Sequence, residues 1–282
     1  MRDEVQPELS LPLELLFEEP GLAVEHLPPP LAELYGGELG FGWPVLYANF
    51  VSSLDGVTAV DPAAAGQGGL ISGGLPADRF LMGLLRAFAD VVLIGAGTLR
   101  AEAEHVWSPG RVYPPAAAAY ADLRTKHGLR PELPLAVVSG SGDLDPTLPA
   151  LAGGIVLTTR AGAESLAGRA PAGLRVITVG EGDAVPAPAL VAALRAEGHR
   201  SILTEGGPHL FGQLAAAGLV DELFLTLSPV LAGRRREGTQ IGLVEGTALL
   251  PGLDRRGRLL SARRSGSHLF LRYSLPAQGV VK

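Results

Sequence analysis

The chain has 282 residues, of which 47% are hydrophobic, a net charge of -6 and no cysteine. That length can bury a full core and fits one large domain or two small ones. The 23 Lys and Arg are scattered and leave no basic stripe for a nucleic-acid backbone, while the lack of cysteine removes disulfides, thiolate nucleophiles and Cys-ligated zinc.

The six histidines, at positions 26, 105, 127, 199, 209 and 268, have no metal-ligand spacing, so no metal is expected and redox chemistry calls for an organic cofactor. No apolar run reaches the roughly 18 residues of a membrane helix, and the acidic start "MRDEVQPE" lacks the basic region of a signal peptide. The expectation is a cytoplasmic protein without membrane or nucleic-acid partners.

Residues 1–43 mix Pro, Gly and acids, and "LPPPLAELYGG" predicts a semi-rigid tether with one helical turn, an N-terminal extension to a domain over 44–282. From Pro44, short β-rich runs alternate with helical patterns: "VLYANFV", then "ADRFLMGLLRAFA", then "DVVLIG". The stretch from Ala101 to Pro134 is too long for an ordinary loop and predicts a helix near the functional site.

The alternation resumes with strands at "PLAVVS", "GGIVLTT", "LRVITVG" and "RSILTEG", and with helices near "AESLAG", at "APALVAALRAEG" and at "PHLFGQLAAAG". After "VDELFLTLSPVLAG" the helices stop, and "SHLFLRYSL" alternates as an antiparallel edge strand does. The pattern is α/β, with a mainly parallel central sheet covered by helices and antiparallel C-terminal edge strands.

Three segments carry chemistry. In "DVVLIGAGTLRAE" a buried strand runs into Gly95, Ala96, Gly97 and Thr98, where free N–H groups and a helix start suit a phosphate as well as they suit a plain tight turn. "SILTEGGPHLFGQL" repeats the device with Glu205, Gly206 and Gly207 ahead of Pro208. Two such turns at strand carboxyl ends point to one dinucleotide diphosphate. In "NFVSSLDGVTAV", Ser53 and Asp55 precede the Gly-rich "AAAGQGGLISGG", which reads either as a mobile cover for a site or as a plain Asp-Gly turn.

The segments "SSLDG", "LLRAFADVVLIGAGTLRAE" and "LTEGGPHLFGQLAAAGLVDELFLTLSPVLAG", in that order and spacing, resemble the reductase domain of riboflavin-biosynthesis deaminase/reductases over about Pro44 to Tyr273. The resemblance implies a dihydrofolate-reductase-like fold, NADPH as cofactor, a homodimer, and hydride transfer to an imine-type carbon of 5-amino-6-(5-phosphoribosylamino)uracil. The companion deaminase binds zinc through His and Cys, which a chain without cysteine cannot supply, so a stand-alone reductase is expected.

Carried over by position, Gly95, Gly97, Thr98, Gly206 and Gly207 meet the diphosphate, and Ser139, Thr159 and Arg160 lie near the adenosine half. Arg160 suits the 2'-phosphate of NADPH or is a solvated helix-start residue. Asp55, Glu102 and Glu205 are candidates to orient substrate or relay a proton. Asn49, Ser53, Asp78 and Arg111 are candidates for substrate binding.

Two positions depart from the family: Asn49 stands where it often has Lys, and Glu102 where it has Asp. Arg111 is the nearest counterpart of an Arg that usually follows. Asp78, in "LPAD", resembles the pteridine-binding carboxylate of bacterial dihydrofolate reductases, or is an acid favoured by the helix dipole. A dihydrofolate or pterin reductase and a non-catalytic NADPH-binding regulator are the alternatives.

Overall fold

A computed structural model describes residues 11–182, 184–235, 238–253 and 256–275; the acidic start "MRDEVQPE" lies outside them. The strands are β1 Glu14–Glu18, β2 Val45–Ser52, β3 Val57–Ala59, β4 Val91–Gly95, β5 Leu135–Ser139, β6 Ile155–Thr159, β7 Arg175–Gly180, β8 Ser201–Thr204, β9 Glu222–Leu227, β10 Ile241–Gly242, β11 Arg258–Ser265 and β12 His268–Ser274. The helices are α1 Pro29–Tyr35, α2 Gln67–Ser72, α3 Pro76–Phe88, α4 Ala96–Ala101, α5 Pro109–Val112, α6 Ala117–Lys126, α7 Arg160–Leu166, α8 Ala187–Ala196 and α9 Pro208–Ala216.

The central sheet has ten strands in the order β1-β11-β12-β9-β2-β8-β4-β5-β6-β7. From β9 to β7 every pairing is parallel, and β12, β11 and β1 add antiparallel strands on the β9 side. Helices cover both faces, so the parallel strands are apolar on both sides. Within β4, Val92 and Ile94 face the core beneath α1, α3 and α6, while Val91 and Leu93 face the core beneath α8 and α9. This is the mixed α/β architecture that the strand and helix rhythm implies.

The margin differs in detail from the sequence reading. "SHLFLRYSL" forms β12, but β12 lies inside the sheet, between β9 and β11, and β1 is the outer strand. Two arginines hold this margin. Arg263 is buried, donating from Nη2 to Glu18 at 2.7 Å and from Nε to the Tyr35 carbonyl at 3.0 Å. Arg272 is buried against Glu222 and the Gly40 carbonyl.

Residues 11–43 are sewn onto the sheet by β1 and by Leu13, Leu31, Leu39 and Phe41, all buried in the core beneath α3. The predicted helical turn is α1, closed by Gly36 in the left-handed region, where a Cβ would collide with the Leu13 carbonyl. The apolar side of α9, with Leu210, Phe211 and Leu214, is spent in its own chain's core.

Candidate active site

Parallel strands end at one edge, and the glycine-rich turns lie there. β4 passes through Gly95 into α4, and β8 passes through Glu205, Gly206 and Gly207 into α9. The two turns abut: a Cβ on Gly206 would run into the Ile94 backbone, so only glycine permits this approach. Thr98 Oγ1 accepts the Gly207 N–H at 3.0 Å, which ties the start of α4 to that of α9. The bond uses a lone pair of the hydroxyl and leaves its own hydrogen free for a ligand.

Beside these turns opens a cavity of about 390 Å³. Its walls come from Asn49 to Val51 at the end of β2, the segment Thr58 to Gly69, Met82 and Arg86 of α3, Gly97 to Glu102 around α4, and the β8–α9 turn. The Gly-rich passage therefore borders the site, with α2 formed at its end. The long stretch after Ala101 contributes His105 and Trp107, and its helix is α6.

The floor of the cavity is ionic. Arg86, 2% exposed, donates from Nε to Glu205 Oε1 at 3.0 Å and from Nη2 to Oε2 at 2.7 Å, and the Glu205 side chain is 8% exposed. Such a two-point pair satisfies both charges in a place where an unpaired one is costly. Nη2 also lies 3.2 Å from His105 Nε2. Burial, and after it the Arg86 charge, holds the His105 ring below the usual histidine range. Trp107 packs at 4.7 Å, edge to face, on that ring.

Of the residues singled out in the sequence, Asn49, Gly97, Thr98, Glu102, Glu205 and Gly207 line this cavity, and Gly95 and Gly206 lie in the turns behind it. One Glu102 oxygen is engaged, accepting the Gly66 N–H at 2.6 Å and so fastening the Gly-rich segment across the cavity.

The others lie elsewhere. Asp55 accepts from Ser53 Oγ at 2.6 Å and from the N–H groups of Ala232 and Gly233, and the Ser53 hydroxyl first, then these N–H groups, pull its carboxyl down to about 2. Ser53 Oγ in turn accepts the Val57 N–H. Both side chains are thereby committed to clamping a turn rather than to the cavity. Asp78 is buried near Ser72 and Thr226, and burial pushes its carboxyl up to about 6. Arg111 is exposed on α5 and lies outside the cavity lining.

Ser139 and Thr159 end β5 and β6 on the same sheet edge, further from β8. The Thr159 hydroxyl accepts the Gly162 N–H and donates to the Gly140 carbonyl, and so caps α7. Arg160, whose side chain is 70% exposed, lies 3.5 Å from Glu181.

Sequence reasoning missed Arg86, His105 and Trp107. The available signal was an arginine inside the otherwise apolar "LLRAFA", a position that folding buries and that must find a partner.

Comparison with known proteins agrees with this fold. Among solved structures, a pyrimidine reductase-like protein of Corynebacterium diphtheriae is 21% identical, with a TM-score of 0.59 over 89% of this chain and 96% of that one. Riboflavin Biosynthesis Reductase Rib7 of Saccharomyces cerevisiae is 15% identical, with a TM-score of 0.57 over 88% and 95%. RibD of Acinetobacter baumannii is 19% identical, with a TM-score of 0.61 over 88% of this chain and 60% of that one. These likenesses establish a shared fold, and no curated protein matches in sequence. The RibD C-terminal domain family matches residues 44–269, and the chain belongs to that family.

Proposed function

We propose that the chain is an NADPH-dependent reductase that transfers hydride to an imine-type carbon of a heterocycle. The substrate put first is 5-amino-6-(5-phosphoribosylamino)uracil, the compound in the name of a similar reductase of Thermotoga maritima. The observation that carries this reading is the cavity at the parallel edge, where two fused glycine turns meet the Arg86–Glu205 floor.

The residues present fit the cofactor. No atom stands within 4 Å of where a Cβ would lie on Gly95 or Gly97, so a diphosphate has open access to backbone there. Gly97 N–H and the Thr98 hydroxyl would hold it, and Arg160, at the start of α7 along the same edge, would meet the 2'-phosphate. When bound, NADPH supplies the hydride.

The protein's own part is orientation. Arg86 and Glu205 fix the floor, Asn49 offers an amide with both donor and acceptor, and Trp107 supplies an apolar wall. The Gly66–Glu102 bond keeps the Gly-rich segment over the cavity and limits water. Self-association as a homodimer belongs to the same reading and is checked by light scattering of the purified protein.

The deciding measurement is loss of NADPH absorbance with the ribosylamino-uracil phosphate and dihydrofolate offered in parallel. Turnover of the uracil supports the assignment. Turnover of dihydrofolate alone moves it to pterin chemistry, and turnover of neither returns the chain to an NADPH-binding role.

A further inference from the structure

The bonds of Asp55 reach beyond its own turn. Besides Ser53 it accepts the N–H groups of Ala232 at 3.0 Å and Gly233 at 2.7 Å, and the neighbouring Leu54 N–H donates to the Val230 carbonyl at 2.8 Å. Further along the same loop, Thr239 Oγ1 donates to the Val60 carbonyl at 2.7 Å. The loop that follows β9 is thus tied at two places to the segment that runs through β3.

What the clamp presents is a cation. Arg234 follows Gly233 directly, is exposed, and donates from Nη2 to the Gly56 carbonyl at 3.2 Å. Its guanidinium lies over Gly242, where a Cβ would displace it. In the β3–β10 ribbon Gly242 pairs with Val57 and Ile241 with Ala59, and Thr58, Ala59 and Ile241 line the cavity. The guanidinium therefore stands beside the next residue pair of that ribbon, at the cavity's rim.

The cavity has a use for such a charge. Among the described residues, Arg86 is the one lysine or arginine in its lining, Glu205 neutralises it, and Glu102 adds a negative group. A phosphate drawn into that neighbourhood would lose its water without gaining a spare cation. At the rim, the Gly56 partner of Arg234 is a neutral carbonyl that leaves the charge in place, and a guanidinium edge matches phosphate oxygens in geometry and charge.

We propose that Asp55, through the N–H groups of Ala232 and Gly233, positions Arg234 to receive the terminal phosphate monoester of a substrate whose ring occupies the cavity. This rests on the reading of the cavity as the substrate site. Asp55 is then a positioning residue, and Arg234 selects phosphorylated over unphosphorylated substrate. The Asp55 carboxyl, pulled down to about 2 by the Ser53 hydroxyl and then by these N–H groups, stays ionised and keeps the clamp closed at neutral pH.

The test compares kcat/KM for 5-amino-6-(ribosylamino)uracil with that for its 5'-phosphate. The wild type is expected to prefer the phosphate by more than about tenfold, and Arg234→Gln to bring that preference below about twofold through KM, with kcat nearly unchanged. Gly242→Ala, which keeps the charge but displaces the guanidinium, should lose most of the preference too. Asp55→Ala should do the same, and combining it with Arg234→Gln should lose nothing further, because both act through one contact. A further loss in the double variant overturns the positioning role. An unchanged preference in Arg234→Gln, or an equal loss in Arg235→Ala, overturns the proposal.

Where neither compound is reduced, the substrate assignment fails and phosphate binding still decides the inference. Ribose 5-phosphate is titrated calorimetrically into the protein with and without NADPH. Binding that survives NADPH and weakens by about tenfold or more in Arg234→Gln supports the proposal. Absence of binding, binding that Arg234→Gln leaves unchanged, or binding that NADPH displaces overturns it, the last because the anion then belongs with the phosphates of the cofactor.

Discussion

Helix α3 carries two buried polar problems and solves them differently. Toward its C-terminal end Arg86 meets Glu205, and the pair lines a cavity. In its first turn Asp78 is buried beside the hydroxyls of Ser72 and Thr226, outside that cavity. A matched cation lets Glu205 stay buried as part of an ionic floor, whereas burial without one raises the Asp78 carboxyl to about 6. The contrast separates a built site from an acid that the fold merely accommodates.

The largest expected effect breaks the matched pair. Arg86→Met leaves Glu205 buried without its cation and is expected to cost about 3–5 kcal/mol in urea unfolding. Adding Glu205→Leu should return most of that stability, because an apolar pair of similar volume replaces the ionic one. Activity should not return with it. If the single variant unfolds at the wild-type urea concentration, the ionic floor is not what holds these side chains.

Glu205→Gln probes the same pair more gently. An amide retains one acceptor for Arg86 and loses the charge, so stability falls by about 1–3 kcal/mol. NADPH oxidation is expected to fall about 100-fold if Glu205 orients the reacting ring through Arg86. A variant that loses stability but keeps its rate would reduce Glu205 to a structural role.

Asp78 should behave in the opposite way. Its folded pKa of about 6 lies above the ordinary 3.8, so its contribution to stability is fully present below about pH 4 and is lost as pH rises through 6. Asp78→Asn removes that loss. The variant is expected to be more stable than the wild type by on the order of 2 kcal/mol at pH 7, with the gap closing below pH 4. Urea midpoints across that range check the sign, and a variant less stable at pH 7 would mean that Asp78 has a charged partner after all.

How far these two places were legible in the sequence follows from what the signals depend on. The strands of the parallel edge read clearly because burial on both faces makes them apolar runs ending in glycine, as in "DVVLIG". β11 was hidden by "ARR", since the buried Arg263 is paired with Glu18 on β1 and the Tyr35 carbonyl of α1, partners that no local pattern announces. β1 was hidden because every residue in it is exposed and its pairing partner lies far along the chain.

At the site, the glycine turns were visible as local backbone requirements. The Arg86–Glu205 pair spans 119 residues, and neither side chain carries its partner's address. Asp55 and Ser53 show the converse: their spacing in "SSLDG" suits a turn clamp as well as a substrate site, and both side chains are held in the clamp.

The smallest predicted effect extends the comparison to a cation that lacks a firm partner. Arg160 lies 3.5 Å from Glu181, but the two side chains are 70% and 89% exposed, and a surface pair of that kind holds little. Arg160→Ala should therefore leave stability unchanged. If the guanidinium serves the 2'-phosphate of NADPH, removing it should raise the KM for NADPH by about fivefold, a loss of about 1 kcal/mol, and leave the KM for NADH as it was. Glu181→Ala should act in the reverse sense, because it releases Arg160 from a competing carboxylate. Equal effects on the two cofactors would instead assign Arg160 to solvent and leave the adenosine end to the strand ends at Ser139 and Thr159.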